Sequence, residues 1–229
     1  FSFFSLFLIY NLIFLKKKNI NFFSEDFHLL IYLILLIIVF FVFFNFDYNF
    51  SIIFFSLVSS ISNIGISLSG VPDNLYFIFL ILVIIGGSFF STSSGIRFLK
   101  IYALIKFSIN ELLSHTRPKH IYINKIAFSD KLIEQSDLYK YFLSIIVFIL
   151  SLFIVSSLLT ISGINFESSF KLGILTLMNT VNSSMYNLDT LNFSEMNYFN
   201  KTTLMVFMII GRVELLTILI ICKKFLFKN

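Results

Sequence analysis

The sequence predicts an all-α integral membrane protein made of tandem span–re-entrant loop–span repeats, with the second span of the first repeat broken. Three observations predict it. Apolar residues make up 58% and charged residues 13% of the 229, with a mean hydropathy of +0.94, where a soluble domain carries roughly 25% charge. Several apolar stretches approach the ~20 residues that a bilayer requires. Between two of them lies a polar, glycine-containing segment, Ser59 to Gly70. Non-helical backbone at membrane depth survives only inside protein or beside a water-filled cavity. The many Phe, Ile, Asn, Lys and Tyr also bear the mark of AT-rich codon usage, so span length and not composition carries the assignment.

Residues 1–15 are apolar and stop at Lys16-Lys17-Lys18. The chain opens on Phe1 with no basic stretch ahead of its apolar run, which is unlike a signal peptide. Residues 1–18 therefore read as the end of a preceding span and a cytoplasmic turn. Residues 19–107 form the first repeat. It has a span over 29–44, a short amphipathic run over 49–58 that enters as a half-helix, the polar segment 59–70, and a second span over 75–107. That second span is interrupted by Gly86-Gly87-Ser88-Phe89-Phe90-Ser91-Thr92-Ser93-Ser94-Gly95. Residues 108–138 are a polar cytoplasmic loop. Residues 139–229 repeat the order: a span over 139–161, a mixed segment over 165–200, and a last span over 202–221 before Lys223-Lys224. The period of roughly 110 residues is far longer than a solenoid repeat. Repeated membrane units with interrupted helices are a common way to build a site near the bilayer midplane.

Charge sets the orientation. Most of the 17 basic residues flank one side, defined by Lys16–Lys18, the 108–138 loop and the C-terminal end, which is therefore cytoplasmic. The other side holds Lys171 and Lys201 against Asp47, Asp73, Glu167, Asp189 and Glu195. An acidic outer mouth raises the local cation concentration, although the same acids also fit ordinary solvated loops. The net charge of +5 is spread over loops beside spans and does not point to nucleic acid. One cysteine, Cys222, excludes an internal disulfide and a cysteine metal cluster. His28, His115 and His120 have no metal-ligand spacing, and no carboxylate pair or nucleophile constellation suggests an enzyme.

Four motifs in order resemble Trk/Ktr-type potassium-uptake membrane subunits. The run Gly86 to Arg97 resembles the family's G-G-C-A-G-S-T-G-G-G-I-K, and Gly211-Arg212-Val213-Glu214-Leu215-Leu216-Thr217 its G-R-L-E-[IL]-[FL]-T. His115-Thr116-Arg117-Pro118-Lys119-His120-Ile121-Tyr122 resembles the cytoplasmic H-P-R-x-V-Y stretch between them, and Ser24-Glu25-Asp26-Phe27-His28 its acidic lead-in to the third repeat. The resemblance implies a fold with span–pore loop–span repeats as in potassium channels, of which this chain supplies the third and fourth. It also implies a multi-pass protein in the bacterial cytoplasmic membrane, in contact with membrane lipid. A homodimer and a cytosolic nucleotide-binding regulatory subunit come with it. Potassium is then the substrate, and no other cofactor is implied.

An ion filter replaces water with backbone carbonyls, and aiming them inward requires angles that glycine tolerates. Ser62-Asn63-Ile64-Gly65-Ile66 fits that need and is similar to the family's T-T-T-G-F, with Asn63 placed to brace the loop through its amide. The second loop, Asn179-Thr180-Val181-Asn182-Ser183, departs from the family's N-N-[LV]-G-P-G. Motif alignment puts Asn182 at the filter glycine, to within one residue, and no glycine lies between Gly173 and Gly211. Potassium ions would be held by the backbone carbonyls of these two loops. The resemblance makes 86–95, with Gly86, Gly87, Ser91, Thr92 and Gly95, the intramembrane gate loop, and Arg212 a pore-facing charge. The altered second loop leaves a sodium-permeable or non-selective transporter as an alternative, and a non-conducting truncated fragment as another.

Overall fold

The structure, a computed structural model, describes residues 4, 20–44, 49–66, 75–87, 94–116, 135–180, 184–188, 193–194 and 196–212, with side chains of the first helix described over 27–42. Seven α-helices dominate the described residues. They are α1 (Ile20–Phe44), α2 (Phe50–Ile61), α3 (Tyr76–Ile84), α4 (Phe98–Thr116), α5 (Gln135–Ile161), α6 (Phe166–Leu177) and α7 (Tyr198–Arg212). A 3₁₀ turn, Ser184–Tyr186, follows α6. Between α3 and α4 two short strands, β1 (Ile85–Gly86) and β2 (Ile96–Arg97), pair in parallel, Ile85 with Ile96 and Gly86 with Arg97.

Length separates these helices into two kinds. At 1.5 Å per residue, the 25 residues of α1 and 27 of α5 reach roughly 37 and 40 Å, enough for a hydrocarbon core of about 30 Å. Of the described helices, α5 is the one both long and apolar enough to pass as a span by length and composition. The half-helices α2 and α6, with 12 residues each, reach only about 18 Å. The exposed faces are the apolar ones. Phe142, Leu143, Ile149, Leu150, Phe153 and Ile154 of α5 face outward, while Ser151 and Ser156 of the same helix are buried. A helix in water distributes these residues the other way round. Small and polar residues between helices are the packing pattern of lipid, where apolar side chains gain nothing by turning inward.

Several helix ends differ from the apolar boundaries. The first half-helix runs through Ser59, Ser60 and Ile61 to a C-cap at Ser62, so the head of the polar segment is helical. Its hydroxyls bond back to the helix: Ser60 Oγ donates to Ser56 O at 2.7 Å and Ser62 Oγ to Val58 O at 2.6 Å. Serines satisfied in this way do not break a helix. Helix α4 continues past residue 107 to Thr116, carried by the good helix formers Glu111, Leu112 and Leu113. Hydroxyls of Ser114 and Thr116 cap its final carbonyls, at 2.7 Å to Glu111 O and 2.9 Å to Leu113 O. The polar 108–138 stretch is therefore helical at its start and again from Gln135 onward.

The core gathers around the half-helices. Leu57 and Ile61 of α2, Phe79 and Val83 of α3, Leu175 and Leu177 of α6, and Met185, Tyr186 and Leu188 form one buried cluster. Helix α6 packs on α5, α7 and α3, and α2 packs on α1 and α3. Gly173 lets α6 approach α5 closely: a Cβ there would stand 3.1 Å from Ser156 Oγ and 3.2 Å from Leu152 Cδ1.

Candidate functional site

The two half-helices end identically. Each starts with a phenylalanine after an extended asparagine, Asn49 or Asn165, and each ends one residue before an αR C-cap, Ser62 or Met178. The next residue is left-handed in both, Asn63 at φ 57° and Asn179 at φ 53°. Around the first cap, Asn63 N donates to Ser60 O at 3.1 Å and Ile64 N to Ser59 O at 3.0 Å. Around the second, Asn179 N donates to Thr176 O at 3.1 Å and Thr180 N to Leu175 O at 2.9 Å. This doubled bond is the Schellman closure, which wants glycine or asparagine at its left-handed position. The same sequence interval separates every pair of equivalent residues, so the caps fix a register between the repeats. Under it Val181 is the counterpart of Gly65, one place before Asn182.

Both asparagines also tie the loop that follows to a neighbouring span. The Asn63 amide Nδ2 donates to Ser94 O at 2.8 Å, and the Asn179 amide to Met208 O at 3.0 Å. Beyond Asn63 the chain turns again at Gly65, buried with φ 76°. There a side chain would be strained. Ile64 and Ile66 on either side are exposed. Thr180 is buried, while Val181, Asn182 and Ser183 lie outside the described residues.

The interruption at 85–97 is closed by backbone against backbone. A Cβ on Gly86 would fall 2.8 Å from Ser94 O, and one on Gly95, at φ 109°, would fall 3.0 Å from both Gly86 N and Ile84 O. Only glycines allow the two limbs to meet so closely. Gly87 O accepts from Phe98 N at 3.3 Å, where α4 begins. Ser91 and Thr92 lie outside the described residues. At the end of α6, Gly95, Ile96, Lys100, Ser144, Phe148, Leu177, Met178 and Gly211 line a small cleft open to solvent. The buried Lys100 donates from Nζ to Ser144 Oγ of α5 at 3.2 Å. Gly211 packs directly on the Leu177 carbonyl. Arg212 is exposed at the end of the described part of α7, and Glu214 lies beyond it.

Sequence reasoning placed Lys171 among scattered outer charges, yet it is buried. Its Nζ lies 2.6 Å from Glu167 Oε1 and 4.0 Å from the centre of the Tyr76 ring. The i,i+4 spacing of Glu167 and Lys171 was the available signal. The clasp joins the second half-helix to the head of α3 in the first repeat. Glu167 itself is exposed, outside the spanning helices. The hydrogen bond from Lys171 and then its charge hold its carboxyl below the usual value of 4.5 against a smaller desolvation effect, and a bond from Tyr76 adds less than either. A depressed carboxyl contributes stability above its unfolded value and loses it as pH falls through the folded one. The thermal midpoint should therefore hold from about pH 7 to 5 and drop below about pH 4.5. The drop should be smaller in Glu167→Gln; an equal acid drop in both proteins would mean the clasp contributes nothing.

No protein-family model matches the chain, and no curated protein matches it. Among solved structures it is similar to the potassium transporter TrkH from Vibrio parahaemolyticus, with a TM-score of 0.74 and 24% sequence identity. The match covers 89% of this chain and 44% of that one. The chain thus spans less than half the length of the transporter it resembles. The motif resemblance and the coordinates agree on architecture: this chain has the all-α fold of a Trk-type potassium-transporter subunit.

Proposed function

We propose that this chain is a pore-forming part of a monovalent-cation uptake transporter, with potassium as its substrate. The observation that carries the reading is the pair of matched half-helices. Each presents its carbonyl end, the negative end of its dipole, to a short loop held by a left-handed asparagine. In this reading the loops at 62–66 and 179–183 are two parts of one filter and strip water from the ion with backbone carbonyls. The interruption at 86–95 is the gate beneath the first loop, and Arg212 faces the pore from α7, where a charge at membrane depth is costly without a task. The span–pore loop–span repeats lie in the bacterial cytoplasmic membrane with the basic loops inside. A homodimer and a cytosolic nucleotide-binding regulator belong to the same proposal, which assigns transport and no enzymatic step.

Co-expression with a segment that supplies the first two repeats, in cells lacking potassium uptake, tests it. Growth at low potassium and rubidium uptake are expected to be restored, with sodium a weak competitor. A well-folded, membrane-inserted protein that moves neither ion would overturn the reading. One observation favours a second reading: the second loop has no glycine between Gly173 and Gly211. Equal competition by sodium would establish a sodium-permeable or non-selective transporter.

A further inference from the structure

Asn63 and Asn179 are the same device on different anchors. The Asn179 amide donates to Met208 O, a carbonyl within regular helix α7. Helix bonds already fix the backbone there. The Asn63 amide donates to Ser94 O, which belongs to no helix and stands beside Gly95 at φ 109°. Both Asn63 and Ser94 are buried, at 9% and 8% exposure, so water does not compete for the bond.

We infer that Asn63 couples the first loop to the helix interruption, whereas Asn179 pins the second loop to a continuous helix. A shift of the Ser94 carbonyl either breaks this bond or draws Asn63 with it. Asn63 leads directly into Ile64, Gly65 and Ile66, so the shift reaches the loop that ends at Gly65. The anchor of Asn179 moves only if α7 moves. The two amides therefore differ in function despite matching caps: one follows the carbonyl beside Gly95 and the other follows α7. The consequence for ion flux rests on the cation-pore reading; the coupling itself does not.

The test uses the full chain with its one cysteine replaced, Cys222→Ser, and a reporter, Ser94→Cys, which leaves the accepting carbonyl in place. Asn63→Gly deletes the amide while glycine keeps the left-handed cap without strain. The rate at which a membrane-permeant thiol reagent labels position 94 should rise about fivefold, the population change that follows the loss of one net hydrogen bond. Asn63→Asp, similar in shape but with no amide donor at pH about 8, should give a similar rise. Asn179→Gly should leave the rate unchanged. No rise with Asn63→Gly, or an equal rise with Asn179→Gly, would overturn the inference. Rubidium-over-sodium preference is read in parallel and should shift with Asn63→Gly; a labelling rise with no shift would sever the interruption from the filter. If the parent protein, supplied with the first two repeats, moves no cation while the labelling pattern appears as expected, the pore reading fails and the coupling stands.

Discussion

Replacing Gly211 with alanine is expected to be among the most destabilising single changes in the chain. A Cβ at this position would overlap the Leu177 carbonyl oxygen, with Leu177 C at 2.8 Å and its Cα at 3.0 Å. All three atoms are backbone at the end of α6, so no rotamer change makes room. Helix α7 would have to move off the half-helix that it supports, and the Asn179–Met208 bond would be stretched with it. Overpacking of this kind costs about 1–3 kcal/mol and occasionally more, and backbone on both sides puts it at the upper end. Alanine's helical advantage over glycine, about 1 kcal/mol, offsets only part of that. Gly173→Ala is the matched comparison, because its contacts are the side-chain ends Ser156 Oγ and Leu152 Cδ1. That variant should stay within about 1 kcal/mol of the parent, its smaller crowding cost set against the same helical gain. Thermal unfolding of the purified proteins in one detergent decides it, and similar midpoints for the two variants would show that α7 is free to shift.

This tight contact explains why a glycine precedes arginine in the last span, which the motif alone did not. Part of the architecture was legible in apolar spacing: its all-α character, the break near Gly86–Gly95 and the helix starting after Asn49. Helix ends were less so, because Ser59 and Ser60 look like loop residues until their positions relative to helix carbonyls are known. The equivalence of Asn63 and Asn179 was hidden for a related reason. The half-helices share only Asn-Phe at their start, a second phenylalanine one turn on (Phe54 and Phe170, each against the first ring) and the cap asparagine. What repeats is backbone conformation, φ 57° and φ 53°, and asparagine is the non-glycine residue that tolerates it. Lys171 was misread for a different cause. Its ring partner Tyr76 lies in the other repeat, and no local pattern announces a contact made across the fold.

Gly65→Val is the substitution expected to act most strongly on cation preference. At φ 76° a β-branched residue is a genuine outlier, and the left-handed region costs an ordinary residue roughly 1–2 kcal/mol. The loop would relieve that strain by rotating the peptide planes next to position 65, which reorients the carbonyls on either side of it. The helix cap at Ser62 and Asn63 precedes the change and stays intact, so on the proposed cation-pore reading the protein should fold while losing any preference for potassium over sodium. Preserved preference would place the filter outside 62–66. The second loop supplies the converse. The cap register puts Val181 opposite Gly65, whereas motif alignment puts Asn182 there, and a glycine at either position separates the two. Val181→Gly is expected to raise potassium-over-sodium uptake more than Asn182→Gly does. The reverse order would favour the motif alignment over the cap register, with Asn182, a residue type that tolerates the left-handed region, at the position equivalent to Gly65.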